Sequence, residues 1–409
     1  MTTLLVLLGC ALVLALVGFW WLVRVREMDR WIWAYLREWP RRRDPSPVEE
    51  VHVLLCIADH WEPKFGKATM ETARARVRAW TEGLPRFARF RDSDGRAPRH
   101  TFFYPAEEYE PELLDEAARL CAAGFGEVEV HLHHHDDTPE NMRRTLEAFR
   151  DSLAGHGLLG RDKATGEPAY CFVHGDWALC GSRPDGKQCG VEQELGLLKE
   201  SGCVCDMTLP SAPSPAQIGV INRVYHAADR PGPCSHAHPV PPGTPGALML
   251  IQGPLLLDWG RRKWGLVPRL ENGCLQASQP PSMERLRLWL RARVQVPSRP
   301  EWFFVKLHAH GAPEDAHGVL LGKPMEDFHA ALAAEAARNP RFHYHYVTAR
   351  EMANLARAAL AGYAGDVAPA LDWEILPPSF TPPTPARLPL PASGRGLGGG
   401  VDSLTGAAR

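Results

Sequence analysis

The feature of this chain that most restricts its fold is an alternation of short strand-type runs with helix-type segments. A buried strand run begins at residue 52, and similar runs recur at residues 100–104, 128–132, 169–173, 204–207, 247–252, 302–307 and 343–347. Segments with helical spacing or helix-boundary residues separate most of them, at 69–90, 110–123, 138 onward, 191–201, 283–294, 325–338 and 349–361. Such alternation is typical of parallel βαβ units. About seven such units suit a closed or nearly closed barrel, so we expect an α/β barrel over residues 51–365.

The composition fits a globular domain and gives no sign of a nucleic-acid partner. The chain has 409 residues, enough for one large domain or two ordinary ones. Apolar residues make up 45% and charged residues 23%, which are usual shares in globular proteins. The formal net charge is −2, so we expect no strongly basic face and no binding of nucleic acid.

The N-terminal residues 1–24 have the properties of a transmembrane anchor. Residues 2–23 contain no charged side chain, and a span of about 20 apolar residues crosses a bilayer as a helix. Trp20 and Trp21 suit the membrane interface. A cleaved signal peptide is the alternative, but the first residues carry no basic group and the far end offers no cleavage site of small residues.

The segment 25–50 is basic and aromatic, and it sets the expected orientation. Arginines follow the apolar span and none precedes it, so the positive-inside rule leaves the C-terminal domain in the cytoplasm. Trp31, Trp33 and Trp39 among these arginines indicate a stretch that lies on the bilayer surface. We therefore expect a single-pass protein, in the inner membrane of a bacterium. The Pro- and Gly-rich residues 366–409 are expected to form a disordered tail.

The densest group of metal-ligand side chains is a run of four histidines within residues 131–135. It follows a β-branched stretch and precedes Thr138 and Pro139, which begin a helix as its N-cap and first residue. On a strand, His131, His133 and His135 share one face. On a helix, His131 and His135 lie one turn apart. Either geometry directs two imidazoles at one divalent ion, and Zn²⁺ is the ion expected for such ligands.

Three further polar groups stand at the ends of strand runs, where the reactive groups of α/β barrels lie. They are Asp59, His60 and Glu62; His174 and Asp176; and His308 and His310. A carboxylate such as Asp59 binds a metal, acts as a general base or only caps a turn. His308 can protonate a leaving group. We expect these groups and the histidine run to converge on one active site.

The remaining thiols and histidines are interpreted as structural or exposed. Cys180, Cys189, Cys203 and Cys205 show no Cys-x-x-Cys spacing, so we expect structural thiols rather than a zinc knuckle. His236 stands in a Pro-rich loop, where histidines are usually exposed.

These motifs resemble those of the polysaccharide deacetylase superfamily, whose fold is a distorted (β/α)7-type barrel. Asp59 stands where that family has its general base, and His60 stands where it has a metal-binding Asp. The pair His131 and His135 is similar to the family's two histidine ligands, and His308 to its general acid. The resemblance therefore implies catalysis by Asp59 and His308, and a metal bound by His60, His131 and His135. Residues implied to contact substrate or support the ligands are Glu62, His133, His134, Asp136, His174, Asp176, Asp206 and His310.

The resemblance implies a membrane-anchored, metal-dependent hydrolase that acts on an N- or O-acetylated sugar or glycoconjugate, including a lipid-linked one. Two departures from the family pattern bear on this: His60 replaces an Asp, and Val173 stands where an Arg usually orients the base. Two alternatives remain open. One is an inactive barrel that binds carbohydrate or scaffolds a membrane-associated glycan-assembly complex. The other is a metal-dependent hydrolase of amidohydrolase or phosphoesterase type.

The orientation can be tested with a reporter enzyme that is active only after export, fused after Arg43. We expect no activity, because the arginines that follow the apolar span hold this side in the cytoplasm. The same reporter behind an exported signal sequence is the control. Strong activity of the Arg43 fusion would contradict the predicted orientation.

Overall fold

The parallel sheet at the centre of the fold is built from short buried strands joined by helices. The structure is a computed structural model and describes residues 2–380. The helices are α1 (Thr2–Val25), α2 (Ile32–Arg37), α3 (Met70–Gly83), α4 (Pro111–Ala122), α5 (Pro139–Gly155), α6 (Glu194–Glu200), α7 (Met283–Ala292), α8 (Glu314–Leu320), α9 (Lys323–Arg338), α10 (Ala349–Leu360) and α11 (Val367–Ala370). The strands are β1 (Val51–His60), β2 (His100–Pro105), β3 (Gly126–Leu132), β4 (Gly160–Asp162), β5 (Pro168–His174), β6 (Cys203–Asp206), β7 (Val224–Ala227), β8 (Pro239–Val240), β9 (Leu248–Ile251), β10 (Leu256–Lys263), β11 (Val267–Glu271), β12 (Trp302–Ala309), β13 (Phe342–Tyr346) and β14 (Ile375–Leu376).

The main sheet is mostly parallel, which confirms the predicted α/β class. Its order is β12-β1-β2-β3-β5-β6-β9-β7-β8, and β13 pairs with the first half of β1. Pairing is parallel from β12 to β9 and antiparallel where β9 meets β7 and β7 meets β8. These pairs give a path with two ends, and they do not by themselves show the closed (β/α)7 ring that the resemblance implies.

Each face of the sheet is covered by its own apolar cluster. Residues 53, 55 and 57 of β1 pack with helices α3 to α9, whereas residues 54, 56 and 58 pack with α10 on the other face. Alternate side chains of a strand point to opposite faces, so a strand buried on both faces reads as a continuous apolar run. This explains why β1 is recognisable in the sequence.

The carboxyl ends of the parallel strands lie along one edge of the sheet and carry the polar groups singled out in the sequence. β1 ends at His60, β5 ends at His174, and β12 ends one residue before His310. The helix after β3 begins as predicted, because the Thr138 hydroxyl accepts the N–H of Asn141 at 3.2 Å and Pro139 occupies the first turn. This edge is where a functional site is expected in such sheets.

The N-terminal helix α1 is long and apolar enough to cross a membrane, a property that a signal sequence near the N-terminus shares. The segment that follows differs from the prediction that it lies on a bilayer surface. Trp31, Ile32 and Tyr35 are buried in the apolar cluster beside α10, while Trp33 and Trp39 stay exposed. Burial of a large apolar side chain stabilises by about 1.5–3 kcal/mol, which favours docking of this segment on the domain.

The C-terminal part of the chain stays structured beyond the predicted boundary at residue 365. Helix α11 and strand β14 follow it, and β14 pairs with β4. Hydrogen bonds hold this segment on the domain, because the Asn354 amide donates to the carbonyls of Leu371 and Ile375, each at 2.8 Å. The predicted tail thus includes a packed segment up to residue 380, and its residues 381–409 lie outside the described part of the chain.

A buried ion pair joins α10 to the sheet and can be tested by substitution. The Arg350 guanidinium donates two hydrogen bonds to Glu127 of β3, at 2.9 and 3.0 Å, and both side chains are buried. We expect Arg350→Met to lower the free energy of unfolding by about 3 kcal/mol, because it leaves a buried carboxylate without its main partner. Urea denaturation of the full chain in detergent measures this change.

The matched control is Arg74→Met on α3. Arg74 pairs with Glu112 at 2.9 Å, but both side chains are about half exposed. Exposed pairs stabilise by less than about 1 kcal/mol, so a small change is expected. Equal losses in the two variants would contradict the role assigned to Arg350.

Candidate metal centre

The carboxyl edge of the sheet brings together three buried side chains that can hold a metal ion. They are His60 at the end of β1, Glu62 two residues later, and His131 in β3. One donor atom from each lies within 4.8 Å of the other two. Two imidazoles and a carboxylate form a ligand set found in catalytic zinc sites. The set fits a divalent cation.

His131 is fixed so that one ring nitrogen faces this cluster. Its Nδ1 lies 2.8 Å from the carbonyl oxygen of Val173 on β5, and donation to that acceptor leaves Nε2 as the free lone pair. Nε2 is buried without a hydrogen-bond partner, 3.4 Å from Glu62 Oε1. A buried polar atom without a partner costs about 1–3 kcal/mol. A cation between these two atoms removes that cost.

The charge states of the cluster suit metal binding. Burial raises the pKa of Glu62, but the adjoining His131 and His133 rings lower it to about 2, so the carboxylate is ionised at neutral pH. Burial, and then the neighbouring His131, hold the pKa of His60 well below its usual value, which keeps this ring neutral. A carboxylate and a neutral imidazole are the forms that bind zinc.

His133, His310 and Trp177 surround the cluster and form its polar and aromatic rim. The His310 and His131 rings each lie 4.8 Å from the His60 ring, and the Trp177 ring lies 5.5 Å from it. His133 Nδ1 is 2.5 Å from the Glu107 carboxylate, and its side chain is 32% exposed. Burial lowers the pKa of His133, but Glu107 outweighs it and raises the pKa to about 10. The rim therefore carries an ion pair of His133 and Glu107 in partial contact with solvent.

His308, the predicted general acid, lies on the same strand face as His310. Ala58 and His308 are paired in register, which places His310 beside His60. His308 is buried and its Nδ1 has no hydrogen-bond partner. Burial holds its pKa well below the usual value, followed by the effect of Lys306. The structure thus brings His308 to the edge of the cluster with a free ring nitrogen.

Asp59, the predicted general base, points to the other side of β1. Its Oδ2 lies 2.8 Å from His100 Nε2, and its Oδ1 accepts the N–H of Gly311 at 2.6 Å. A Cβ at Gly311 would come within 2.0 Å of the carboxylate, so only glycine allows this approach. Both oxygens of Asp59 are engaged, and its contacts give no support to a role as base.

The cluster that contains His131 does not include His135, its predicted partner. His135 is half exposed, and its Nδ1 accepts the N–H of Gln188 at 2.9 Å. Asp136 is 82% exposed and lies beside His135. The strand ends at Leu132, so the alternation of side chains does not continue to residue 135. Glu62, expected only to support the site, takes the third position in the cluster.

Two of the supporting residues, His134 and His174, belong to a second buried group with Cys189 and Glu194. Asp206 has a local role instead: its carboxylate accepts the N–H and the hydroxyl of Thr208, at 3.1 and 2.7 Å. Burial raises the pKa of Asp206 to about 7. Asp176 lies two residues after His174 and has a backbone φ of 46°. Its carboxylate is a source of negative charge near His133.

Sequence reasoning missed several residues of this region. Glu107 and His100 orient the predicted residues His133 and Asp59, and Cys189 and Glu194 complete the second group. His236, expected to be exposed, is buried, and neither ring nitrogen has a partner. A usable signal was the presence of Cys189 and Glu194 only five residues apart. The partners of His133 and Asp59 carry no local signal, because they come from β2 and from the turn that follows it.

No protein-family model matches the chain, and no curated protein matches it in sequence. The function of the cluster is therefore argued from its chemistry.

The ligand assignment can be tested through zinc content. In zinc-loaded full-length protein we expect His131→Ala to remove one equivalent of bound zinc, because it deletes a ligand nitrogen. Glu62→Gln is a milder change at the same cluster and should also weaken binding. Elemental analysis after dialysis measures the content, and circular dichroism checks that the variants fold.

His135→Ala is the matched control, since it removes a histidine from the same run. We expect it to keep the full zinc content. Loss of bound zinc in the His135→Ala variant, together with full zinc content in the His131→Ala variant, would refute the assignment.

Proposed function

We propose that this protein is a membrane-anchored, metal-dependent hydrolase that removes acetyl groups from an N- or O-acetylated sugar or glycoconjugate. The observation that carries the proposal is the cluster of His60, Glu62 and His131 at the edge of a parallel sheet. Within it, the Nε2 atom of His131 is buried without a hydrogen-bond partner. Three protein ligands leave a coordination position open, as catalytic zinc sites do. The resemblance of the sequence motifs to those of polysaccharide deacetylases is the basis for the proposed substrate class.

Zn²⁺ suits this cluster best, because two imidazoles and one carboxylate are ligands it favours. Held there, it would polarise the acyl carbonyl and activate water. Hydrolysis breaks the acyl C–N or C–O bond, adds the oxygen of water to the acyl carbon, and returns a proton to the departing nitrogen or oxygen.

The protein side chains around the cluster have distinct tasks in this scheme. His133, whose pKa is raised to about 10 by Glu107 against the effect of burial, brings positive charge to the oxyanion that develops on the acyl oxygen. His308, which its lowered pKa keeps neutral, takes a proton from the attacking water and passes it to the leaving group. Trp177 offers an aromatic face at the rim against which a sugar ring packs.

Asp59 acts in this scheme as a positioning residue. It holds the N–H of Gly311, the residue next to His310, at 2.6 Å. It also lies 2.8 Å from His100 at the start of β2. These bonds connect β1, β2 and the loop after β12, and so fix His310 beside His60.

A second candidate function is binding without turnover. The engagement of both Asp59 oxygens favours it, because the family resemblance assigns the general base to this position. In that case the metal cluster would hold carbohydrate, or the domain would scaffold a glycan-assembly complex at the membrane. Hydrolysis of amidohydrolase or phosphoesterase type would use the same cluster on another substrate.

Membrane attachment through α1, with the domain in the cytoplasm, is part of the proposal. It is supported by the hairpin of β10 and β11, which carries Trp264 and Leu266 at 76% and 78% exposure. Arg26, just after α1, donates to the carbonyl of Pro268 in this hairpin at 3.0 Å. Exposed aromatic and apolar side chains suit a bilayer interface. This end of the molecule would then face the membrane and favour a lipid-linked substrate.

The proposal is tested by acetate release from zinc-loaded, full-length protein in detergent. The substrates are N- and O-acetylated sugars, both free and lipid-linked. We expect turnover with at least one of them, and we expect His308→Gln to lower kcat about 100-fold or more, because it removes the proton donor. Zinc content should stay unchanged in this variant.

His343→Gln is the control. His343 lies on β13 and pairs in register with His52, near the amino end of β1 and away from the cluster. We expect it to keep full activity. Saturable binding of these sugars without acetate release would support the binding function and reject the hydrolase.

A further inference from the structure

A second group of potential metal ligands includes His134, the residue after His133 in the chain. His134 follows β3, His174 ends β5, Cys189 lies in the loop after β5, and Glu194 begins α6. One donor atom from each of these four residues lies within 4.8 Å of the other three, and all four residues are buried. This group has no part in the hydrolysis proposed for the first cluster.

Hydrogen bonds to neighbouring groups hold three of these four side chains, and the fourth, His134, lies near a carboxylate. His174 Nδ1 lies against the carbonyl of Gly175, and His134 Nδ1 lies 3.3 Å from the Asp137 carboxylate. The contact of His174 is of the kind that orients histidine ligands in metal sites, whereas His134 Nδ1 has no hydrogen-bond partner. Glu194 Oε2 accepts the N–H of Cys180 at 2.6 Å. Cys189 Sγ accepts the N–H of Val191 at 3.4 Å, and as a thiol it donates to the Val191 carbonyl at 3.2 Å or to Glu194 Oε2 at 3.5 Å.

The inner atoms face one another without a hydrogen bond. Nε2 of His134, Nε2 of His174 and Oε1 of Glu194 are all buried and unpartnered. Glu194 Oε1 lies 3.4 and 3.7 Å from the two nitrogens, and no hydrogen bond forms at that geometry. Three unpartnered polar atoms at one buried point are rare in native proteins. A shared cation satisfies all three at once.

We propose that His134, His174, Cys189 and Glu194 form a second metal centre that holds Zn²⁺. Nitrogen, sulfur and carboxylate oxygen are the ligands that zinc takes in proteins. Four protein ligands fill a tetrahedral shell, as in structural sites, whereas the three ligands of the first cluster leave one position open. The second centre is therefore structural.

Its position explains what such an ion stabilises. Two loops approach the histidine run closely at glycines: a Cβ at Gly175 would lie 2.3 Å from the His133 ring, and one at Gly190 would lie 2.4 Å from the Asp137 backbone nitrogen. The ion would join these loops and α6 to the end of β3. It would thereby hold His131 and His133 in place, and it does so whether or not the first cluster hydrolyses acetyl groups.

The test uses full-length protein in detergent, stripped of metal and reloaded with Co²⁺ or Zn²⁺ alone. The second centre is the one assigned a sulfur ligand, so Co²⁺ bound there should give a thiolate-to-cobalt charge-transfer band in the near ultraviolet. We expect this band in the wild type and in His131→Ala. We expect Cys189→Ser to abolish it and to remove one equivalent of zinc.

Two further variants separate loss of a ligand from loss of folding. Cys189→Asp keeps an anionic ligand, so it should retain zinc while losing the band. Cys180→Ser removes another buried thiol whose backbone N–H, rather than its sulfur, contacts Glu194, and it should keep both. Absence of the band in the wild type, or its survival in both Cys189 variants, would overturn the second centre.

Discussion

The bond between His131 Nδ1 and the carbonyl of Val173 is the interaction on which the candidate site depends. It exists because β3 and β5 are parallel neighbours that pair these two residues in register. The bond leaves His131 Nε2 directed at His60, which ends the parallel strand β1, and at Glu62, two residues later. A shift of one residue in this register would turn His131 to the opposite face of the sheet. The cluster of potential metal ligands thus follows from strand pairing rather than from the density of histidines.

The histidine run contributes to two clusters of potential metal ligands because the strand ends inside it. His131 lies within β3 and joins the first cluster, while His134 lies beyond Leu132 and joins the second. His133 stands between them and pairs with Glu107, and His135 faces solvent. Four similar side chains therefore have four different environments. Three ligands with an open position suit chemistry, and four ligands in a closed shell suit stability.

Much of the fold could be predicted because its strands are buried on both faces and its helices are capped. The runs at β1, β3 and β12 and the cap at Thr138 are local signals. The strand β14 and the burial of Trp31 were not predictable, because both depend on contacts with distant segments. The hairpin of β10 and β11 was missed because most of its strand residues are exposed or only partly buried, so no regular alternation of apolar and polar side chains marks it.

Part of the candidate site was also predictable from local signals in the sequence. That Asp59, His60, His131 and His308 stand at strand ends follows from the sequence, and the structure places all four at one edge. Which face each side chain takes depends on pairing, so the sequence could not separate Asp59 from His60. The choice of Glu62 over His135 depends on where β3 ends, which a run of histidines does not reveal.

The most direct test is a crystal of zinc-loaded protein measured at the zinc absorption edge. Two anomalous peaks are predicted, one bounded by His60, Glu62 and His131 and the other by His134, His174, Cys189 and Glu194. A single peak held by His131 and His135 would contradict this account.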